Sequence, residues 1–445
     1  MNRGLILILS ILLLTTRAYA YELVLPKEKK NYVTTNYAFF VGKTNGAEML
    51  TINGEHVPVA SNGAFAHTVK LKDGENRIML RSAYGAKMYK FCKLQQSDTQ
   101  KEEFNEFIVK KAVVLNDNTP LRSTPVDAGL NRIGHLFEGT DILIDGEQGE
   151  FYRVFLSKNK SGWIAKKHVV VCGENKFEGA EFLGMESERF KNASVQSISF
   201  SKKLPYTVED KANEIIFRVY NPEFSGESVY NLNMQKPKKY TYYVTLDDGK
   251  YTFKVRNLPE TTEDATVVID AGHGGSEKGA IGCLGDQEKD INLKIAQELN
   301  TVLEKKGIKA FMTRECDCNL SLDDRVKFAK DNGADLFVSI HLNSIGDAPM
   351  NVHTTRGTSV YYYNNNSKKF AEKVEKCVVH SAGTHKDGVK TASFAVIRPP
   401  EYAGILVECA YMTNPFDSVL YTSDDFIKKT ASGIANGIVE FIKEK

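Results

Sequence analysis

The chain lacks an excess of charge of either sign: 58 lysines and arginines stand against 56 acidic residues, a formal net charge of +2 over 445 residues. There is no polybasic run either. That balance excludes the electrostatic footprint of a nucleic-acid-binding or membrane-surface protein, and no nucleic-acid partner is expected. Cysteine is sparse. The seven present (Cys92, Cys172, Cys283, Cys316, Cys318, Cys377 and Cys409) are few for an exported protein of this size, and an odd number leaves at least one unpaired within the chain. Cys316 and Cys318 invite a metal reading, but no second pair sits at zinc-ribbon spacing. They read as small hydrophobes or as one modest disulfide. Tryptophan occurs once, at Trp163. Beyond the N-terminus no long apolar run appears, so no transmembrane anchor is expected in the mature protein.

What is present begins with Arg3, the apolar runs Leu5–Leu9 and Ile11–Leu14, and then Ala18-Tyr19-Ala20. A basic start, a short apolar stretch and an A-x-A-like end form an export signal, expected to be cleaved after Ala20. The run is shorter than the roughly 20 residues a bilayer requires. The mature protein is therefore expected in the periplasm, or outside the cell at the wall. Hydrophobic residues at 42% and charged residues at 26% can build real cores, and the length suggests about three domains.

Residues 21–100 alternate short apolar runs with turn signals, among them Asn53-Gly54, Asn62-Gly63 and Asp73-Gly74. That is the pattern of an all-β sandwich, and it resembles immunoglobulin-like accessory modules. Polar residues from Lys93 to Glu106 suit a linker. A second β module, residues 101–175, carries Leu121-Arg122, Gly139-Thr140, Tyr152-Arg153-Val154 and Gly162-Trp163-Ile164 in that order. This succession resembles bacterial SH3-like barrels, which commonly bind cell-wall peptides. Trp163 is then either part of a binding surface or a residue of the barrel core. Residues 176–260 hold further strands, notably Glu214–Tyr220 and Tyr240–Leu246, and read as a β-rich spacer.

The pattern changes at residues 261–445. Thr266–Ile269 is a continuous apolar run, as a strand buried on both faces should be. A helical stripe follows (Ile291, Ile295, Leu299, Leu303), and strands and helices alternate to the C-terminus. Ser321 with Asp324 three residues later predicts a helix start. The fold class is therefore multidomain: N-terminal all-β modules, then an α/β domain with a mostly parallel sheet flanked by helices, its chemistry at the carboxyl ends of the strands.

Four residues fall at those ends. His273 follows the first strand in Asp270-Ala271-Gly272-His273-Gly274-Gly275, and Glu288 precedes a helix expected to start near Asp290. His341 ends the strand Leu336–Ile340, and Glu408 closes the apolar run Ile405-Leu406-Val407. Two imidazoles and a carboxylate suffice to hold a catalytic zinc, leaving a position for water or substrate. A second carboxylate must then pass the water's proton to the leaving amine. Glu408 fits, because a glutamate closing an apolar strand is costly unless it faces a cleft or a cation. Glu288 stays open between a ligand and a partner of the helix dipole. His353, His380 and His385 are weaker candidates, lying in polar loops or a helix.

These residues carry a resemblance. Val268–Gly275, Gly279-Ala280-Ile281-Gly282 and Glu288–Leu293 are similar to the opening of the zinc-dependent N-acetylmuramoyl-L-alanine amidases. Thr313-Arg314, Leu322 with Arg325, Ala334–His341, and Leu406-Val407-Glu408 with Asn414-Pro415 continue it over about residues 265–440. The resemblance implies His273, Glu288 and His341 as zinc ligands, Glu408 as the catalytic acid/base, and peptidoglycan as partner. The bond implied is the amide between the muramyl lactyl group and L-alanine. Cys409-Ala410 follows the glutamate where the family usually has glycine or another small residue, and Cys283 lies close enough in sequence to approach the metal. Some members carry a long helical insertion over the cleft. The stretch between Tyr363 and Phe394 has room for one helix, which predicts an open site. Two competing readings are a non-catalytic wall-binding protein with an amidase-like fold and a zinc peptidase acting within the stem peptide.

Overall fold

The structure, a computed structural model, describes residues 21–45, 49–95, 102–172, 179–222, 227–345 and 351–444. The expected export signal lies outside the described residues, as does 96–101 of the polar linker.

Among the described residues up to Asn257 the regular elements are strands, apart from single 3-10 turns at Gly129–Asn131 and Lys166–His168. The first block folds into a three-stranded sheet (Tyr21–Leu25, Tyr37–Thr44, Ala64–Lys70) and a five-stranded one, around Phe40, Ile52, Phe65, Leu80 and Phe91. The Asn-Gly turn lies where expected, joining Leu50–Ile52 to Glu55–Val57 with both turn residues at positive φ. Between Asn105 and Val171 seven strands form one antiparallel sheet. Trp163 is not in its core. It lies half-buried, edge-on to the exposed Phe104 at 5.8 Å. Between Phe182 and Asn257 lie a four-stranded and a three-stranded antiparallel sheet. These last two blocks share one core, in which Leu136, Ile144 and Val154 join Tyr206, Phe217 and Tyr251.

The C-terminal sheet has six strands in the order Lys309–Met312, Thr266–Ala271, Leu336–Asn343, Ala403–Tyr411, Thr358–Tyr362, Lys386–Thr391. All neighbours are parallel except Ala403–Tyr411 and Thr358–Tyr362. The alternation along each strand decides what it meets. Val267, Ile269, Ile340 and Val407 pack on helices α1 (Glu288–Lys305), α3 (Lys368–Ala382) and α5 (Asp424–Ile442). Val268, Phe337 and Leu406 face the other way, onto Ala329 of α2 (Leu322–Asp331) and Tyr402. Ser321 caps α2 by accepting from the Asp324 amide at 3.1 Å. A short helix, α4 (Pro415–Tyr421), precedes α5. Between Tyr363 and Phe394 stand α3 and the edge strand Lys386–Thr391, with no further α-helix.

The blocks are fastened to one another. Arg256 pairs with Asp335 at 2.5 Å, and Lys239 Nζ donates to the Ile442 carbonyl at the end of α5. A cation there satisfies a carbonyl that the helix leaves unpaired. The first block packs Val41, Ala60, Ala64 and Ala66 against Cys283, Ile345, Val352 and Tyr411 of the last. Asn62 Nδ2 also donates to Ser418 Oγ at 3.0 Å.

Candidate metal centre

His273 lies two residues beyond the strand Thr266–Ala271, and its backbone is left-handed at φ 60. A non-glycine residue there costs free energy and persists only where the surroundings hold it. They do. Arg325 Nη2 donates to the His273 carbonyl at 2.8 Å, while its Nη1 donates to the Ala271 carbonyl and to Asp270 Oδ1. Arg314 bonds the Ala271 and Gly272 carbonyls at 2.8 and 3.0 Å. Asp270 is itself satisfied by Thr313 and Ser339. Gly272 is required by close approach, since a Cβ there would stand 2.3 Å from the His341 ring.

Glu288 differs from its expected place. It is the first residue of α1, not a residue ahead of it, with Gln287 as N-cap. The free amides at a helix start favour an anion there. Glu288 Oε2 accepts from the Ala280 amide at 2.7 Å and lies 3.2 Å from His273 Nε2. Oε1 accepts from the Leu342 amide at 3.2 Å and lies 2.8 Å from His341 Nδ1. Burial alone would raise this carboxyl, but the two imidazoles outweigh it and hold it well below the usual carboxylate range. Burial likewise lowers His341, and Glu288 more than reverses that, so its pKa is raised.

His273, Glu288 and His341 thus bring three ligand atoms within 4.8 Å of one another. Among the described residues this is the one such group of His, Cys, Asp and Glu, and His353, His380 and His385 have no part in it. Cys283 stays outside as well. It is buried, its thiol pushed up to about 12 mainly by burial, and it is directed to the Met412 carbonyl at 3.8 Å. All seven cysteines are free, so Cys316 and Cys318 form no disulfide. The donor set of two imidazoles and one carboxylate fits a divalent ion that accepts nitrogen and oxygen ligands.

Glu408 pairs in register with His341 across the two central strands. Its Oε2 is buried without a hydrogen-bond partner. Burial pushes this carboxyl up to about 7, and Glu288 adds to the rise while His341 and Lys390 oppose it. A carboxyl held near neutrality can both take and return a proton at physiological pH. The arginine cage around the His273 turn was visible in the sequence only as motif residues, with no role attached to Arg314, Arg325 or Asp270.

The family described as N-acetylmuramoyl-L-alanine amidase matches residues 267–440. The N-acetylmuramoyl-L-alanine amidase AmiA of Salmonella typhimurium is 30% identical over 251 residues, which cover 45% of this chain and 85% of that protein. The uncharacterised YqiI of Bacillus subtilis is 38% identical over 183 residues, covering 40% of this chain and 85% of its own. For the N-acetylmuramoyl-L-alanine amidase LytC of the same organism the figures are 37% over 195 residues, 43% of this chain and 38% of LytC. The chain therefore spans well under half of LytC.

Proposed function

The chain belongs to the N-acetylmuramoyl-L-alanine amidase family, and on that premise we propose that it hydrolyses the amide between the muramoyl lactyl group and L-alanine in peptidoglycan. The observation that carries this reading is the convergence of His273, Glu288 and His341 beside the unpartnered carboxyl of Glu408. These three residues would hold zinc. When bound, the ion supplies a Lewis acid for the carbonyl oxygen and lowers the pKa of water. Glu408 takes the proton of the attacking water and hands it to the leaving amine, since an amide nitrogen departs poorly as an anion. Arg325 and Arg314 act on the reaction only through His273, by fixing the backbone that carries it. No helix of the described residues is long and apolar enough to cross a membrane. The N-terminal export pattern supports a site of action at the cell wall or in the periplasm.

Mass analysis of digested cell walls tests the reading. New peptide N-terminal alanines, without new reducing sugar ends, are expected. Cleavage between amino acids of the stem would instead mark a zinc peptidase. Pelleting with walls without release of fragments would mark a binding protein.

A further inference from the structure

A cavity of about 430 Å³ lies where three blocks meet, lined by Arg132 and His135 from the second, Tyr206 and Tyr242 from the third, and Tyr363 and Arg398 from the last. Its chemistry is set by two arginines. Arg132 Nη1 lies 3.3 Å from His135 Nε2, and its Nε is buried with no hydrogen-bond partner. Among the described residues the Arg398 guanidinium bonds only Ser393, through Oγ at 3.1 Å and the backbone carbonyl at 3.0 Å. Among the described residues neither arginine has a carboxylate within ion-pair distance.

The nearby acids bond to other groups. Glu401 lines the same cavity and pairs with Lys330 at 2.5 Å, its Oε2 being buried without a hydrogen-bond partner; Asp127 pairs with Arg122, and Asp117 accepts from the Glu138 amide at 2.8 Å. Asp323 acts on Arg398 only at a distance. His135 adds no balancing charge: burial and then the arginines push it down to about 3, so it is neutral. Burial is the main cause that lowers Arg132 and Arg398; Arg398 and Arg122 lower Arg132 further, while at Arg398 Tyr363 opposes the fall and Arg122 adds to it. A guanidinium donor sealed from water and unpaired is costly, and it has a natural complement. The planar fork matches a carboxylate in two parallel hydrogen bonds. The volume is within the range of sites for small ligands, and the tyrosines supply flat walls.

We propose that this cavity binds a carboxylate, the free end of a short peptide or a small organic acid, gripped between Arg132 and Arg398. The assignment is independent of the amidase reading. It lies at the join of three blocks, so a bound ligand also ties those blocks together.

Calorimetric titration of the full chain with trialanine, its C-terminal amide and acetate tests this. Trialanine is expected to saturate, and the amide to bind about tenfold more weakly or worse, because its terminus can no longer accept both donors. Arg132→Gln and Arg398→Gln should each weaken trialanine by about tenfold, while Arg132→Lys, which keeps the charge and loses the fork, falls between. The acid-against-amide contrast needs no variant, so it stands even where a substitution fails to fold. Acetate binding as tightly as trialanine would support the site and assign a small acid as its source. Absence of saturable binding by either acid would overturn the proposal. So would equal binding of acid and amide, or trialanine binding unchanged in both glutamine variants.

Discussion

Two arginines define two regions of this molecule, and they are opposites. Arg325 is 3% exposed, and each of its three guanidinium nitrogens donates, to Asp270, Ala271, His273 and Leu320. Arg132 lines a cavity with its Nε buried and unpaired. The first arrangement holds a backbone in a costly conformation, which requires every bond to be made. The second leaves bonds to be made by something else. A saturated buried charge positions; an unsaturated one awaits a ligand.

The largest expected effects lie at the saturated centre. His341→Ala should lose bound zinc and bring wall digestion to background, as metal analysis and product release would report. Glu408→Gln should keep zinc and lose turnover by about 10²–10⁴, the usual share of a positioned acid/base. Loss of zinc in that variant would make Glu408 a ligand and break the division of roles.

Next comes the cage. Arg325→Met leaves the buried Asp270 without its ion-pair partner and should cost about 3–5 kcal/mol in a denaturant titration. Arg132→Gln, by contrast, removes a charge that nothing balances, and stability should hold or rise by up to about 1 kcal/mol. Equal losses in the two variants would abolish the contrast between the regions.

The pH dependence sharpens the same comparison from the acid side. Glu408 is raised from 4.5 to about 7, so the stability it contributes is fully present below 4.5 and is lost as pH rises towards 7. In metal-free protein, the wild type should therefore lose stability over that window relative to Glu408→Gln. Denaturation midpoints at both ends of the window check it. Glu288, held low, has the opposite sign: its contribution is present above 4.5 and fades as pH falls below that, towards a folded-state pKa well under the usual carboxylate range.

The candidate centre was legible because its parts are local. His273 is flanked by glycines, His341 and Glu408 close apolar runs, and a parallel sheet gathers such ends at one edge. Glu288 was read two residues short of its helix, since a glutamate suits both the first turn and the residue before it. The cavity was not legible. Arg132 and Arg398 belong to different blocks, and no periodicity records how blocks dock. The same holds for Trp163, whose aromatic character says nothing about which side of its strand is covered, and for Lys239, which caps a helix in another block.

The docking of the first block carries a consequence in time. Asn62 and Ser418 are 356 residues apart in sequence, and the apolar contacts beside them have comparable reach. Residues 21–93 can complete their own sandwich before the rest of the chain has followed, since domains fold as units from the N-terminus. Their small apolar face of Val41, Ala60, Ala64 and Ala66 then lacks its full set of partners until Cys283, Ile345, Val352 and Tyr411 are all in place. The earliest part of the chain to fold is the last to be seated, and until then it travels with that face uncovered.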